Sequence, residues 1–96
     1  MNLAQLERII MVAKYGNITD VAQKLYISQP ALSQTISIVE AEIGAAIFDR
    51  RTQPLKLTPE GECFIRAAHD ILRTNQNMLQ EIRNVRSGER GKSSIG

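Results

Sequence analysis

From Pro59 to Gly88 nothing in the sequence stops a helix, and this stretch constrains the fold more than any other. Thr58 is the expected N-cap, and Pro59 suits the first helical position, where a missing N–H costs nothing. Glu60 suits the positive end of the helix dipole. A helix of ~29 residues would be roughly 44 Å long. Phe64, Ala68, Ile71, Asn75, Met78, Ile82 and Val85 recur at alternating spacings of four and three, the mark of a heptad seam. Ile65, Leu72 and Leu79 form a second row beside it. A stripe this wide exceeds what a short preceding domain can cover. Its first part is expected to pack on the chain's own first helix, and the rest on a second copy of the chain. Asn75 inside the seam reads as a polar register marker or as a residue at a solvent-reached edge.

The 96 residues suit one modest core. Hydrophobic residues make up 43% and aromatic ones 4%, with no Trp, so Leu, Ile, Val and Ala must fill the interior, which favours helices. The single cysteine, Cys63, excludes an internal disulfide, and with one histidine a zinc site is not expected. There is neither a run of ~20 apolar residues nor a basic-then-apolar leader, so we expect a cytoplasmic protein without a membrane partner. Cys63 and His69 lie six apart on one helix and point ~120° away from each other, with no acid placed to orient His69. Cys63 is expected as a small core residue, and no catalytic residue is assigned.

Three further helices are expected. The first runs from Leu3 to about Tyr15, with Leu3, Leu6, Ile10 and Ala13 on its apolar face, and Gly16 and Asn17 end it. The second is short, with Thr19 as N-cap, Asp20 in its first turn and Ile18 as a staple just before the cap. At about two turns it cannot stand alone. The third starts at the N-cap Ser28 with Pro30 in its first turn, and Gly44 closes it after Ile43. Leu32, Ile36, Val39 and Ile43 form its core arc. Two short strands, around Ala46–Arg50 and Leu55–Leu57, read as a hairpin that survives only by packing on the helices.

A short helix joined to a longer one by Tyr26-Ile27-Ser28 reads as a helix-turn-helix, whose second helix enters the DNA major groove N-terminus first. Opposite the core arc lie Pro30, Ser33, Gln34, Ser37 and Ala41, and Gln29 projects from the first turn. Gln and Ser can donate and accept at base edges, and Pro or Ala can touch a thymine methyl. From Gln29 to Val39 there is no charge, as suits a face that desolvates against bases; an ordinary protein contact is the alternative. Ser28 and Thr19 can hold phosphates as well as cap their helices. Arg50, Arg51 and Lys56 read as a solvated loop or, beside a helix-turn-helix, as a basic wing over phosphates or in the minor groove. Asp49 is placed to orient one arginine. The net charge of +2 only weakly suggests an anionic partner.

Asn17-Ile18-Thr19 through Ala22 and Leu25, Ser28-Gln29-Pro30-Ala31-Leu32-Ser33, Ile36, Glu40, Glu42, Ile43-Gly44, Ile47-Phe48-Asp49-Arg50 and Leu57-Thr58-Pro59-Glu60-Gly61 together resemble the N-terminal domain of LysR-type transcriptional regulators. The resemblance runs over about residues 2 to 85 without a gap. It implies a mainly α fold with a small β wing: a winged helix-turn-helix followed by a long linker helix that forms a dimer. It implies a bacterial-type regulator of transcription that binds double-stranded DNA as a homodimer, with a tetramer as the further expectation for a full-length protein. Gln29, Pro30, Ser33, Gln34 and Ser37 would read bases. Thr19, Ser28, Arg50, Arg51, Gln53, Pro54 and Lys56 would hold phosphates or the wing contact. Phe64, Ala68, Ile71, Leu72, Asn75, Met78, Leu79 and Ile82 would form the dimer interface.

Residues 1–58 are then the winged helix-turn-helix, 59–86 the linker helix, and 87–96 a hinge, Ser87-Gly88-Glu89-Arg90-Gly91, leading into an effector-binding domain. No cofactor is expected in these residues; a small-molecule effector would belong to that further domain. The sequence departs from the family pattern at Gln34, Ser37 and Ile38, where many members carry a basic residue, and at Gln53, where the wing often has Arg. A shallow salt dependence per subunit follows. Ile38 belongs to neither the core arc nor a clear DNA face. A related molybdate-responsive repressor, or a winged helix used for protein association, are the competing readings.

Overall fold

The computed structural model describes residues 1–88. Four helices and a hairpin follow one another: α1 (Leu3–Tyr15), α2 (Ile18–Leu25), α3 (Gln29–Ile43), β1 (Phe48–Asp49), β2 (Lys56–Leu57) and α4 (Pro59–Arg86). Of the expected hinge and domain start at 87–96, residues 89–96 lie outside the described residues, and Ser87 is the C-cap of α4.

Helix boundaries follow from caps. Asn2 and Gln5 form a reciprocal capping box at the start of α1, and Gly16 ends that helix in the left-handed conformation, φ 69°. Asn17, not Thr19, caps α2: its Oδ1 accepts from the Asp20 N–H at 3.0 Å. Both residues are cap-competent, but the reversal at Gly16 leaves Asn17 extended at the entry, so Thr19 falls inside the first turn. Ile18 is likewise the first helical residue rather than a staple before the cap, and it packs against the core. Ser28 caps α3 through the Ala31 N–H, and Thr58 caps α4 through the Gly61 N–H. Tyr26 closes α2 in the left-handed region, φ 58°.

One core joins these elements. Ile9 and Val12 of α1, Val21 and Ala22 of α2, and Leu32, Ile36 and Val39 of α3 meet Ile47, Phe48 and Leu55 from the wing. Burying each of these side chains except Ala22 contributes about 1.5–3 kcal/mol. The buried face of α1 is Leu6, Ile9 and Val12; Ile10 and Ala13 are half-buried and Leu3 is exposed. α1 is apolar over so wide an arc that its periodicity admits both faces, and packing against α2, α3 and α4 selects one. Ile43 is exposed, lining an open groove with Ala45, Cys63 and Phe64 rather than the core, and Thr35 takes an inward place, its hydroxyl donating to the Ala31 carbonyl. Cys63 is exposed rather than a core residue.

The strands are shorter than expected, two residues each, antiparallel, with Phe48 opposite Leu57 and Asp49 opposite Lys56. α4 extends well past the body. The molecule measures 56 × 28 × 21 Å. Its radius of gyration is 17.0 Å, against about 12.5 Å for a compact chain of this length.

Candidate nucleic-acid interface

The exposed side of α3 carries Gln29, Pro30, Gln34 and Ser37, with Ser33 half-buried at its edge. Gln29 Nε2 donates to Ser33 Oγ at 2.7 Å, so this pair is ordered within one turn. Ile38 is 45% exposed at the border of the same side, one turn beyond Gln34. No charged residue interrupts α3 before Glu40.

Tertiary contacts too local for periodicity to reveal hold the wing beside α3. The Gly16 carbonyl accepts from the Leu55 N–H at 2.9 Å. A Cβ on Gly16 would meet Pro54 Cβ at 2.7 Å, so the tip of the wing rests on the α1–α2 turn. On the other side the Thr58 N–H donates to the Ile47 carbonyl at 3.0 Å, and its hydroxyl donates to the Ala46 carbonyl. A Cβ on Gly61 would lie 2.0 Å from the Ile47 carbonyl oxygen; only glycine lets α4 start this close to the wing. From α3, Glu40 Oε2 accepts from the Ile47 N–H at 2.8 Å.

These restraints bring several predicted residues together. Thr19, Gln29, Arg50 and Gln53, from three separate elements, line a polar concavity of about 340 Å³ with Asn17 and Gly16. Ser28 lies at the α3 cap and outside that lining. Pro54 is exposed against Gly16, and Lys56 is exposed on β2. Arg51 is turned outward and held by Asp49: Nε and Nη2 donate to the two carboxylate oxygens at 2.9 and 3.0 Å, and the Arg51 N–H adds a third bond. The bidentate guanidinium pulls the Asp49 carboxyl down to about 2, and Asp49 in turn raises Arg51. Both groups face solvent, so salt screens the pair.

Two residues of this site were not assigned from the sequence. Asn17 was read as a helix terminator; Asp20 three residues on was the cap signal. Glu40 carried no local signal, since its partner is a backbone N–H seven residues away.

On α4, Ala68 is buried and Phe64 is half-buried against the core, both within the single chain. Leu72 and Asn75 are half-buried. Ile71, Met78, Leu79, Ile82 and Val85 are exposed, from 39 to 64%.

Residues 3–62 match the bacterial regulatory helix-turn-helix proteins of the lysR family. The chain is 38% identical over its full length to an uncharacterized HTH-type transcriptional regulator, YcgK of Bacillus subtilis (strain 168), of which it spans 30%. It is also 38% identical to the HTH-type transcriptional regulator BudR of Klebsiella aerogenes, of which it spans 67%. Among solved structures it resembles the DNA-binding domain of BenM in complex with catB site 1 DNA: TM-score 0.87, 34% identity, 92% of this chain and 95% of that one. It also resembles Vibrio fischeri DarR in complex with DNA: TM-score 0.84, 28% identity, 91% of this chain and 30% of that one.

Proposed function

We infer the task of this chain from the family to which it belongs, the LysR family of bacterial regulatory helix-turn-helix proteins. It binds double-stranded DNA sequence-specifically as a homodimer and regulates transcription. α3 enters the major groove with Gln29, Pro30, Ser33, Gln34 and Ser37 toward base edges. Arg50, Arg51, Gln53, Pro54 and Lys56 of the wing, with Thr19 and Ser28 at the helix starts, take phosphates or the adjacent minor groove. The long helix pairs with that of a second chain through Ile71, Leu72, Asn75, Met78, Leu79 and Ile82. Phe64 and Ala68 serve the internal core instead.

The observation that carries this reading is the uncharged exposed side of α3 bordered by the polar concavity that holds Arg50. A free helix surface is ordinarily charged, whereas base edges require neutral donors and acceptors at close range. The role is one of binding, without catalysis. The work is cytoplasmic and needs no membrane; no helix among the described residues is long and apolar enough to cross one. A small-molecule effector acting through a further domain belongs to the same proposal and rests on the resemblance to the family alone.

Fluorescence anisotropy on a short duplex library at several salt concentrations tests the reading. We expect sequence-dependent affinity, with a slope of log K against log salt of about −5 for a pair of chains offering Arg50, Arg51 and Lys56 each. Absence of any sequence-dependent affinity at low salt refutes it and leaves protein association as the use of α3.

A further inference from the structure

An acidic side chain in the last turn of a helix faces the negative end of the dipole and is disfavoured there. Glu40 occupies such a position on α3, and its side chain is only 19% exposed. Its bonds account for the burial. The Glu40 carbonyl accepts from the Gly44 and Ala45 N–H groups at 2.9 and 3.2 Å, and Oε2 accepts from the Ile47 N–H at 2.8 Å. One residue thus holds three N–H groups of the connection between α3 and the wing. A neutral glutamine would serve these bonds equally well. The charge is left over, and Oε1 directs it at Arg50, 3.8 Å from Nη2. That distance is too long for a hydrogen bond, so the two ions are tethered but not locked. Arg50, about half exposed, at the same time lines the concavity with Thr19, Gln29 and Gln53.

We propose that Glu40 is a positioning residue for DNA binding: it holds the Arg50 guanidinium at the mouth of this concavity, ready for a backbone phosphate, and so fixes the wing's cationic contact relative to the recognition helix. The proposal rests on the DNA reading above. A free arginine loses rotamer freedom when it docks, and a tether removes part of that loss beforehand. Because the contact is loose, Arg50 can turn from carboxylate to phosphate without breaking a hydrogen bond. A carboxylate near DNA also repels phosphates, so positioning and repulsion act with opposite sign, and the sign is measurable.

Glu40→Gln separates them, since it keeps the volume and an oxygen for the Ile47 N–H and removes only the charge. The thermal midpoint should move little. Affinity for a specific duplex should fall about three- to five-fold, the size expected for one ordered surface pair, although the chain has become more positive. In an Arg50→Ala background the same change should cause no further fall. An affinity that rises, or an equal fall without Arg50, overturns the proposal. A readout without substitution stands beside it: the Arg50 Nε–H should show a higher NMR order parameter than the exposed Arg86 in the free chain. Equal mobility of the two overturns the proposal whatever the variant does. If the unsubstituted chain shows no sequence-dependent binding at all, the DNA reading fails and the proposal falls with it; sequence-dependent binding with no Glu40–Arg50 coupling fails the proposal alone.

Discussion

Gln29, proposed above to read a base, is already constrained in the free chain, because its amide is bonded to Ser33 and keeps one N–H and its carbonyl free. Gln29→Ala should therefore cost roughly 1–3 kcal/mol on the cognate duplex and relax base preference, with little change on random DNA. Equal losses on both, measured by anisotropy, would remove its reading role. Asp49 gives a pH expectation. Its folded pKa of about 2 lies below the ordinary carboxylate value, so its stabilising bond to Arg51 is fully present above about 4. It is lost only as pH falls through about 2. The orientation of Arg51 is thus unchanged across neutral pH. A carboxyl-carbon NMR titration should show the low midpoint, and one near 3.9 would contradict the pairing. That Asp49 orients an arginine was legible because both arginines stand within two residues of it; that the partner is Arg51 rather than Arg50 was not. Glu40 was not, because the backbone N–H it accepts from leaves no mark in a sequence pattern.

At the scale of elements, the wing is two residues wide on each strand and owes its place to its neighbours rather than to its own ladder. Gly61 is the tightest of these approaches. Gly61→Ala should push α4 from Ile47 and destabilise the chain by about 1–3 kcal/mol, read as a lower urea midpoint with an unchanged slope. An unchanged midpoint would mean that α4 relaxes freely against the wing. Helix limits were largely readable, since Ser28 and Thr58 each start a helix and Gly16 and Gly44 each end one by a local mechanism. The entry to α2 was misassigned because Asn17 and Thr19 are chemically equivalent caps, and only the left-handed turn at Gly16 distinguishes them. The buried faces of α1 and the end of α3 depend on neighbours absent from a helical wheel, so Ile9 and Val12 join Leu6 in place of Leu3, Ile10 and Ala13, and Ile43 falls outside the core.

For the whole molecule, the exposed stripe on α4 is the feature on which the proposed pairing rests. Ile71, Met78, Leu79 and Ile82 lie on the part of the helix that extends past the body, and apolar surface in that amount is unfavourable in water. Ile82→Asp should shift the pair toward single chains, and an unchanged mass in light scattering would refute the seam. The stripe was readable from heptad spacing alone; how much the body itself covers was not: Ala68 is buried and Phe64 half-buried. The suspension of the wing has a consequence in time. The amides of Ile47 and Leu55 bond to Glu40 and Gly16, two different parts of the chain, and the Thr58 amide bonds to the Ile47 carbonyl across the base of the hairpin. These three amides should exchange with deuterium as one cooperative group, at a rate set by a single opening that frees all of them, while the amides of α3 remain protected.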